Sequence, residues 1–446
     1  MKIYEIIYQD LENDISSQKL KQGARLPSIT SLTIKYNCSK GTVIRALDKL
    51  SSKHIIFSKP KSGYFVANAM IKSQDKFSGY YLDSGNPRID AFPILDIKHC
   101  LHLAADLYAK NSLEIDLYGT ASLNQVLVKH LASEGIFAKA VNIQLIQGIT
   151  PILTFLTITP FPNNKNTILI EEPTYSYFNT FLKQKGIPVL TIARDEFGID
   201  LKLLEHHFKY DDIKFFYTIP RNHNPLGTCY SAKTRNKIME LALKYDVYIV
   251  EDDYFGNTHK LAKYSSLHYI SYGQKTIYLR SYSKEFPFIR VGIAVVPDCF
   301  LKTFDDIAQE AYYYCYHMPN LISQATLEAY IQSSIHEKQE LQLHQSITKK
   351  LNIVKKISLT WNTDVVTLIG ASSGYYFSLR LNKNICAKLL VKVLEEKNIF
   401  VTSNEWAYFD PKHFDNSIRL SVARITEREL KEILPVVYET ILLLGE

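Results

Sequence analysis

Apolar residues at the start of the chain recur at helical spacing. Ile3, Ile6, Ile7, Leu11 and Ile15 predict a first amphipathic helix. Ser28, behind Pro27, is placed to cap a second helix carrying Ile29, Leu32 and Tyr36. Asn37-Cys38-Ser39 interrupts that pattern, and Ser39 can cap a third helix with Val43, Ala46, Leu47 and Leu50 on one face. Its other face carries Lys40, Thr42, Arg45 and Lys49. Two short helices joined by a tight turn, the second basic on its outer face, describe a helix-turn-helix. Residues 54–57 and 63–66 then read as strands around Lys59 and Lys61, a hairpin wing with lysines at its tip.

Farther along, the period changes. Residues 167–171, 214–219, 247–251 and 276–279 are short β-rich runs of the buried type, and 291–296 is another apolar run. Helical patterns such as 232–245 lie between them. This alternation predicts an α/β domain with a largely parallel sheet, whose functional groups gather at strand C-terminal ends. The expected division is a small module at 1–67, a connector at 68–82 and a large module at 83–446. Within the last, a larger part is expected at about 120–320 and a smaller one at about 330–446.

Composition changes the picture in two places. The net charge is +7, and residues 1–66 hold +6 of it, from 11 lysines and arginines against 5 acids. A basic first module on a nearly neutral body points to a polyanion as its partner. The six cysteines are scattered, with no C-x-x-C pair and no cluster with histidines. That argues against structural zinc or a disulfide scaffold and suits a reducing cytoplasm. The N-terminus has acids and no long apolar core, so no signal peptide is expected, and no run is long enough to span a bilayer.

The candidate chemistry sits where the predicted strands end. Ser281-Tyr-Ser283-Lys284 follows one strand, and Arg290 comes shortly after. A lysine so placed can form a Schiff base with pyridoxal 5'-phosphate, and Ser281, Ser283 and Arg290 can bind its phosphate. Tyr175, after another strand, can stack on a flat heteroaromatic ring; in a chain with 30 tyrosines it could equally be a core residue. Asn224, in an Asn-Pro-x-Gly turn, can donate its amide to the cofactor's phenolate oxygen, as can the Tyr254 hydroxyl. Asp252 is the candidate partner of the pyridine nitrogen, which an ionised carboxylate keeps protonated. The plain alternative is that Asp252 and Asp253 are exposed loop acids.

The first module resembles the GntR-type winged helix. The matching residues are Gly23, Leu26-Pro27-Ser28-Ile29, Leu32, the run from Ser39 through Arg45 to Leu47, Leu50, and Gly63-Tyr-Phe-Val66. The resemblance implies DNA contacts from Ser28 and Ser39 at the helix starts. It adds Lys40, Thr42 and Arg45 on the recognition helix, and Lys59 and Lys61 on the wing. Where the family often has a DNA-contacting arginine, this chain has Thr30.

Asn224, Asp252 and Lys284, each after a predicted strand and in that order, resemble the fold-type I aminotransferases. Joined to the first module, the whole chain is similar to the MocR/GabR family, GntR-type regulators that carry an aminotransferase-like domain. That resemblance implies that Tyr118 reaches the phosphate of a partner subunit. It also implies that Ile149 and Thr150 open a helix whose N-terminal amides hold the phosphate, and that Arg419 grips the carboxylate of an amino-acid ligand. A homodimer is implied as well. Tyr177 stands where GABA-sensing members have an effector-binding arginine, so an effector held in that way is not expected.

Two functions remain. One is a transcriptional regulator that binds operator DNA and senses pyridoxal 5'-phosphate or an amino compound, with any residual transamination incidental. The other is a metabolic aminotransferase with an accessory N-terminal module. The basic winged helix, which such an enzyme does not need, favours the first. A DNA binder that has lost its cofactor is disfavoured by the retained lysine, aspartate, asparagine and tyrosine.

Overall fold

A computed structural model of the chain describes residues 2–17, 19–53, 55–59, 62–67, 79–88, 92–110, 115–116, 119–256, 264–306, 318–333 and 335–445. The chain divides into two compact units, residues 1–78 and 79–446. No described helix is long and apolar enough to cross a membrane.

The first unit is three helices and a hairpin: α1 (Ile3–Ser16), α2 (Ile29–Tyr36), α3 (Lys40–Ser52), β1 (Ile56–Lys59) and β2 (Gly63–Val66). Ser28 caps α2 by accepting from the Ser31 amide at 3.1 Å, and Ser39 caps α3 by accepting from the Thr42 amide at 3.2 Å. Between them α2 ends on Asn37 in the left-handed conformation (φ 44°), which asparagine tolerates better than most residues. Val43, Ala46, Leu47 and Leu50 of α3 are fully buried. The inward stripe of α1 is narrower than its isoleucines suggested. Ile7, Tyr8, Leu11 and Ile15 are buried, but Ile3 and Ile6 are exposed. Ile3 opens the helix, and Ile6 lies about 100° round from Ile7. The hairpin pairs Ile56 with Val66, so β1 begins later than the pattern indicated and runs on to Lys59. Lys61 lies outside the described residues.

In the second unit β3 (Tyr80–Tyr81) pairs with a strand near the C-terminus, and β4 (Ile115–Asp116) pairs with β5 (Gly119–Thr120). Residues 79–82, assigned to the connector from sequence, thus include a strand of this unit. The main sheet holds β6 (Ile143–Ile146), β7 (Thr167–Glu172), β8 (Val189–Ala193), β9 (Ile213–Thr218), β10 (Tyr248–Asp253), β11 (Thr276–Ser281) and β12 (Gly292–Val295). Their order is β6-β12-β11-β10-β9-β7-β8. Only β12 runs antiparallel to its neighbours, and the other pairings are parallel. β9 and β10 are buried along their whole length, as expected of strands covered on both faces.

A second, antiparallel sheet joins β13 (Val366–Gly370), β14 (Tyr376–Leu381), β16 (Thr402–Ser403) and β17 (Ser417–Ser421), while β15 (Ile399–Phe400) pairs with β3. Helices Ile335–Ser358, Ala387–Glu396 and Glu427–Gly445 belong to this C-terminal part. Aliphatic and aromatic side chains from both sheets merge in one large core.

Candidate functional site

β10 extends two residues beyond its apolar run, so Asp252 and Asp253 end a buried strand and are not loop acids. Strand alternation sends their side chains to opposite faces. Asp253 pairs with Arg221 Nε at 2.7 Å and accepts from the Tyr278 hydroxyl at 2.6 Å. Asp252 accepts from the Tyr217 hydroxyl at 2.6 Å through Oδ2, while its Oδ1 is buried without a hydrogen-bond partner. Burial pushes the Asp252 carboxyl up to about 7, against the pull of the Tyr217 hydroxyl. A buried carboxylate oxygen left unpaired is costly unless a cationic donor meets it.

The groups around Asp252 come from separate strand ends. β11 ends at Ser281, which caps the short turn Tyr282–Lys284 and turns the lysine out of the sheet. Lys284 Nζ donates to Asn86 Oδ1 at 2.6 Å. Burial, then Arg419, Arg424 and Arg290, push this amine down to about 8, with Asp252 acting in the other direction. Asn224 Oδ1 accepts from Arg419 Nη1 at 3.0 Å, which leaves its NH2 group to donate elsewhere. Arg419 also donates to the Asp83 carbonyl at 2.6 Å and lies over the Tyr376 ring. Its Nε is buried without a partner.

The anion side is built around Gly148. With φ 86° it precedes the helix Ile149–Ile158 and offers no side-chain cap, so the first amides face outward. A Cβ at Gly148 would come within 3.9 Å of Arg290 Nε, which places that guanidinium at the same helix end. Thr150 Oγ1 lies 3.3 Å from the Tyr175 hydroxyl, bringing the tyrosine to this cradle.

Two hydroxyls point elsewhere. Tyr254 donates to the Asn222 carbonyl at 2.7 Å, and Ser283 to the Ile289 carbonyl at 3.3 Å. Both residues, expected from the sequence to meet the cofactor, have these backbone carbonyls as their acceptors. Tyr118 lies outside the described residues. Sequence reasoning passed over Tyr217 and Asn86 as site residues. Tyr217 pairs with Val250 across β9 and β10, and so lies on the same face as Asp252 two residues on. That register was the available signal.

These groups fit pyridoxal 5'-phosphate. A depressed lysine, an unpaired buried carboxylate oxygen, a free asparagine amide and an uncapped helix end beside an arginine match its aldehyde, ring nitrogen, phenolate and phosphate.

In the first unit, Lys40, Arg45 and Lys59 are exposed, and Thr42 is half-buried. Arg45 stacks over Tyr4 at 4.5 Å and Lys59 over Phe65 at 5.0 Å. These contacts steady the cationic stems without neutralising them.

Residues 3–66 match the family of bacterial regulatory proteins, gntR family. Residues 81–437 match aminotransferase class I and II. The uncharacterized HTH-type transcriptional regulator YcxD of Bacillus subtilis (strain 168) is 34% identical over 453 residues, 97% of this chain and 98% of YcxD. The HTH-type transcriptional regulator NorG of Staphylococcus aureus (strain USA300) is 21% identical over 450 residues, 93% of this chain and 98% of NorG. Among solved structures, the multiple substrate aminotransferase of Thermococcus profundus superimposes with a TM-score of 0.71 at 19% identity, covering 83% of this chain and 93% of that one. LysN, the alpha-aminoadipate aminotransferase of Thermus thermophilus, gives 0.70 at 19% identity over 81% and 92%.

Proposed function

The chain belongs to the aminotransferase class I and II family and carries a gntR-family DNA-binding module ahead of that domain, and on this footing we propose how the two units work. The protein is a transcriptional regulator of the MocR/GabR type, with pyridoxal 5'-phosphate as its cofactor. The first unit binds operator DNA, and the second senses the cofactor or an amino compound. Its relatives YcxD and NorG, matched almost end to end, are named as transcriptional regulators.

What carries this reading is that Lys284, a buried Asp252 with an unpaired oxygen and an uncapped helix end beside Arg290 follow a basic winged helix in one chain. When bound, the cofactor supplies a carbonyl that reacts with amines and a ring that withdraws electrons. Lys284 would hold it covalently. With the amine lowered to about 8, roughly a tenth is unprotonated at pH 7 and able to react. Asp252 would face the ring nitrogen and keep it protonated. Asn224 would donate to the phenolate and Tyr175 would pack on the ring. The amides of Ile149 and Thr150, with Arg290 and Ser281, would take the phosphate.

Arg419 would fix the carboxylate of an amino-compound effector. Its hydrogen bonds go to neutral oxygens of Asn224 and Asp83, so its charge is available to a ligand. Lys284 reports on the site through Asn86, which accepts from it and whose carbonyl accepts from Arg424 at 2.8 Å. A change in the state of the lysine amine thus reaches the segment at residues 83–87. That change would shift DNA affinity through the equilibrium between chain conformations. The protein would act as a homodimer in the cytoplasm, where its operator is.

The test is a mobility-shift assay on the DNA upstream of its own coding region, at low salt, with and without cofactor and candidate amino acids. Specific binding that an amino compound or the cofactor alters is expected. No binding at low salt, or steady transamination of a keto acid at metabolic rates, would overturn the regulator in favour of an enzyme.

A further inference from the structure

A second cluster of ionisable groups lies behind the Lys284 turn and takes no part in the pocket. His130 and Glu134 stand one turn apart at the end of the helix Ala121–Ser133, the spacing that puts two side chains on one face. Glu285 follows Lys284 directly, and His336 lies in the first turn of the helix Ile335–Ser358. His130 Nε2 is 3.4 Å from Glu134 Oε1, and His336 Nε2 is 3.5 Å from Glu285 Oε2. The two imidazoles meet edge-on, with ring centres 4.8 Å apart. One ligand atom from each of His130, Glu134 and His336 falls within 4.8 Å of the others.

Beyond these ion-pair contacts, three of the four inward-facing atoms have no hydrogen-bond partner. His130 Nε2, His336 Nε2 and Glu285 Oε2 are buried and make no hydrogen bond, although the two histidines are only 8% and 5% exposed. The outer carboxylate oxygens are committed. Arg280, 1% exposed, clamps Glu134 on one side and Glu285 at 2.9 Å on the other. That fork fixes both carboxylates and turns their remaining oxygens toward the imidazoles.

We propose that His130, Glu134 and His336 hold one zinc ion, with water completing its coordination. Two imidazoles and one carboxylate are a ligand set that zinc takes. A bound ion would tie the end of one helix to the start of another, beside Glu285, whose Oε2 is 3.5 Å from His336 Nε2.

The test uses full-length, tag-free protein loaded with pyridoxal 5'-phosphate, given zinc(II) alone, dialysed against a weak chelator and assayed for metal. Wild type is expected to retain one zinc per chain. Glu134→Gln, which keeps its size and an oxygen for Arg280, and His336→Gln are each expected to lose it. His336→Cys, which substitutes one zinc ligand for another, is expected to keep it and to add a sulfur neighbour in X-ray absorption. Wild type that retains no zinc would overturn the proposal without reference to any variant. So would folded Glu134→Gln or His336→Gln protein that retains as much zinc as wild type.

Discussion

Glu171 and Asp252 stand near the ends of two strands of one sheet, β7 and β10, on either side of β9, and both are buried. Their surroundings differ completely. Glu171 accepts from Arg194 at 2.8 Å, from Thr218 and Tyr230, and from the Ile219 amide at 3.1 Å, and His223 lies 3.3 Å away. Against the upward push of burial, Arg194 and then His223 hold its carboxyl down to about 2. Asp252 has one hydroxyl on one oxygen, nothing on the other, and a carboxyl pushed up to about 7. A carboxylate with every oxygen paired holds a fold together, whereas one with an oxygen left open awaits a ligand. The same sheet thus carries a sealed polar core and, two strands away, a receptive one.

The largest expected effect falls on the sealed side. Glu171→Ala removes the acceptor from a buried guanidinium and two buried hydroxyls, and should cost about 3–5 kcal/mol in urea unfolding. A cost below about 1 kcal/mol would erase the distinction between the two sites. Asp252→Asn should leave the unfolding free energy of cofactor-free protein within about 1 kcal/mol, since the amide oxygen can still accept from Tyr217. Cofactor affinity should nevertheless fall about 10–100-fold, the worth of a lost charged hydrogen bond, as measured by fluorescence titration.

The two acids should also give opposite pH slopes in cofactor-free protein. Asp252, raised from 3.8 to about 7, keeps a proton that the unfolded chain has released, so its contribution to stability falls as pH rises through that window. Glu171, lowered from 4.5 to about 2, stays ionised while the unfolded chain takes up a proton, so its contribution is lost as pH falls through that window. Urea midpoints across pH should show the first slope flattened in Asp252→Asn and the second flattened in Glu171→Gln.

The smallest effect belongs to the first unit. Ser39→Ala removes the cap of α3 and should cost about 1 kcal/mol. Lys40→Gln should reduce the salt dependence of DNA binding by about one phosphate's worth if it contacts the backbone.

Much of this was legible from the chain. Five strands of the main sheet, β7 and β9 to β12, are short apolar runs punctuated by proline, glycine or acids, so their positions and the mostly parallel arrangement could be read, while β6 and β8 were not. Lys284, Asn224 and Asp252 are legible because each follows such a run, at the strand ends where functional groups gather. Local periodicity does not say which of two adjacent acids faces a pocket. It was cross-strand register that put Asp252 beside Tyr217 and Asp253 beside Tyr278. Nor does composition show where a hydroxyl spends its proton. Tyr254 and Ser283, expected from the sequence to meet the cofactor, have backbone carbonyls as acceptors that no local pattern announces. Asn86 was hidden for the same reason, since its contact to Lys284 spans nearly two hundred residues.

The central claim is that Lys284 holds the cofactor in the pocket that Asp252 leaves open. It is tested most directly by reducing the cofactor-loaded protein with borohydride and mapping the modified lysine by peptide mass spectrometry. The pyridoxyl phosphate adduct should appear on Lys284 and disappear in Lys284→Ala, together with the visible absorption of the loaded protein. An adduct on another lysine, or no adduct in wild type, would contradict the account.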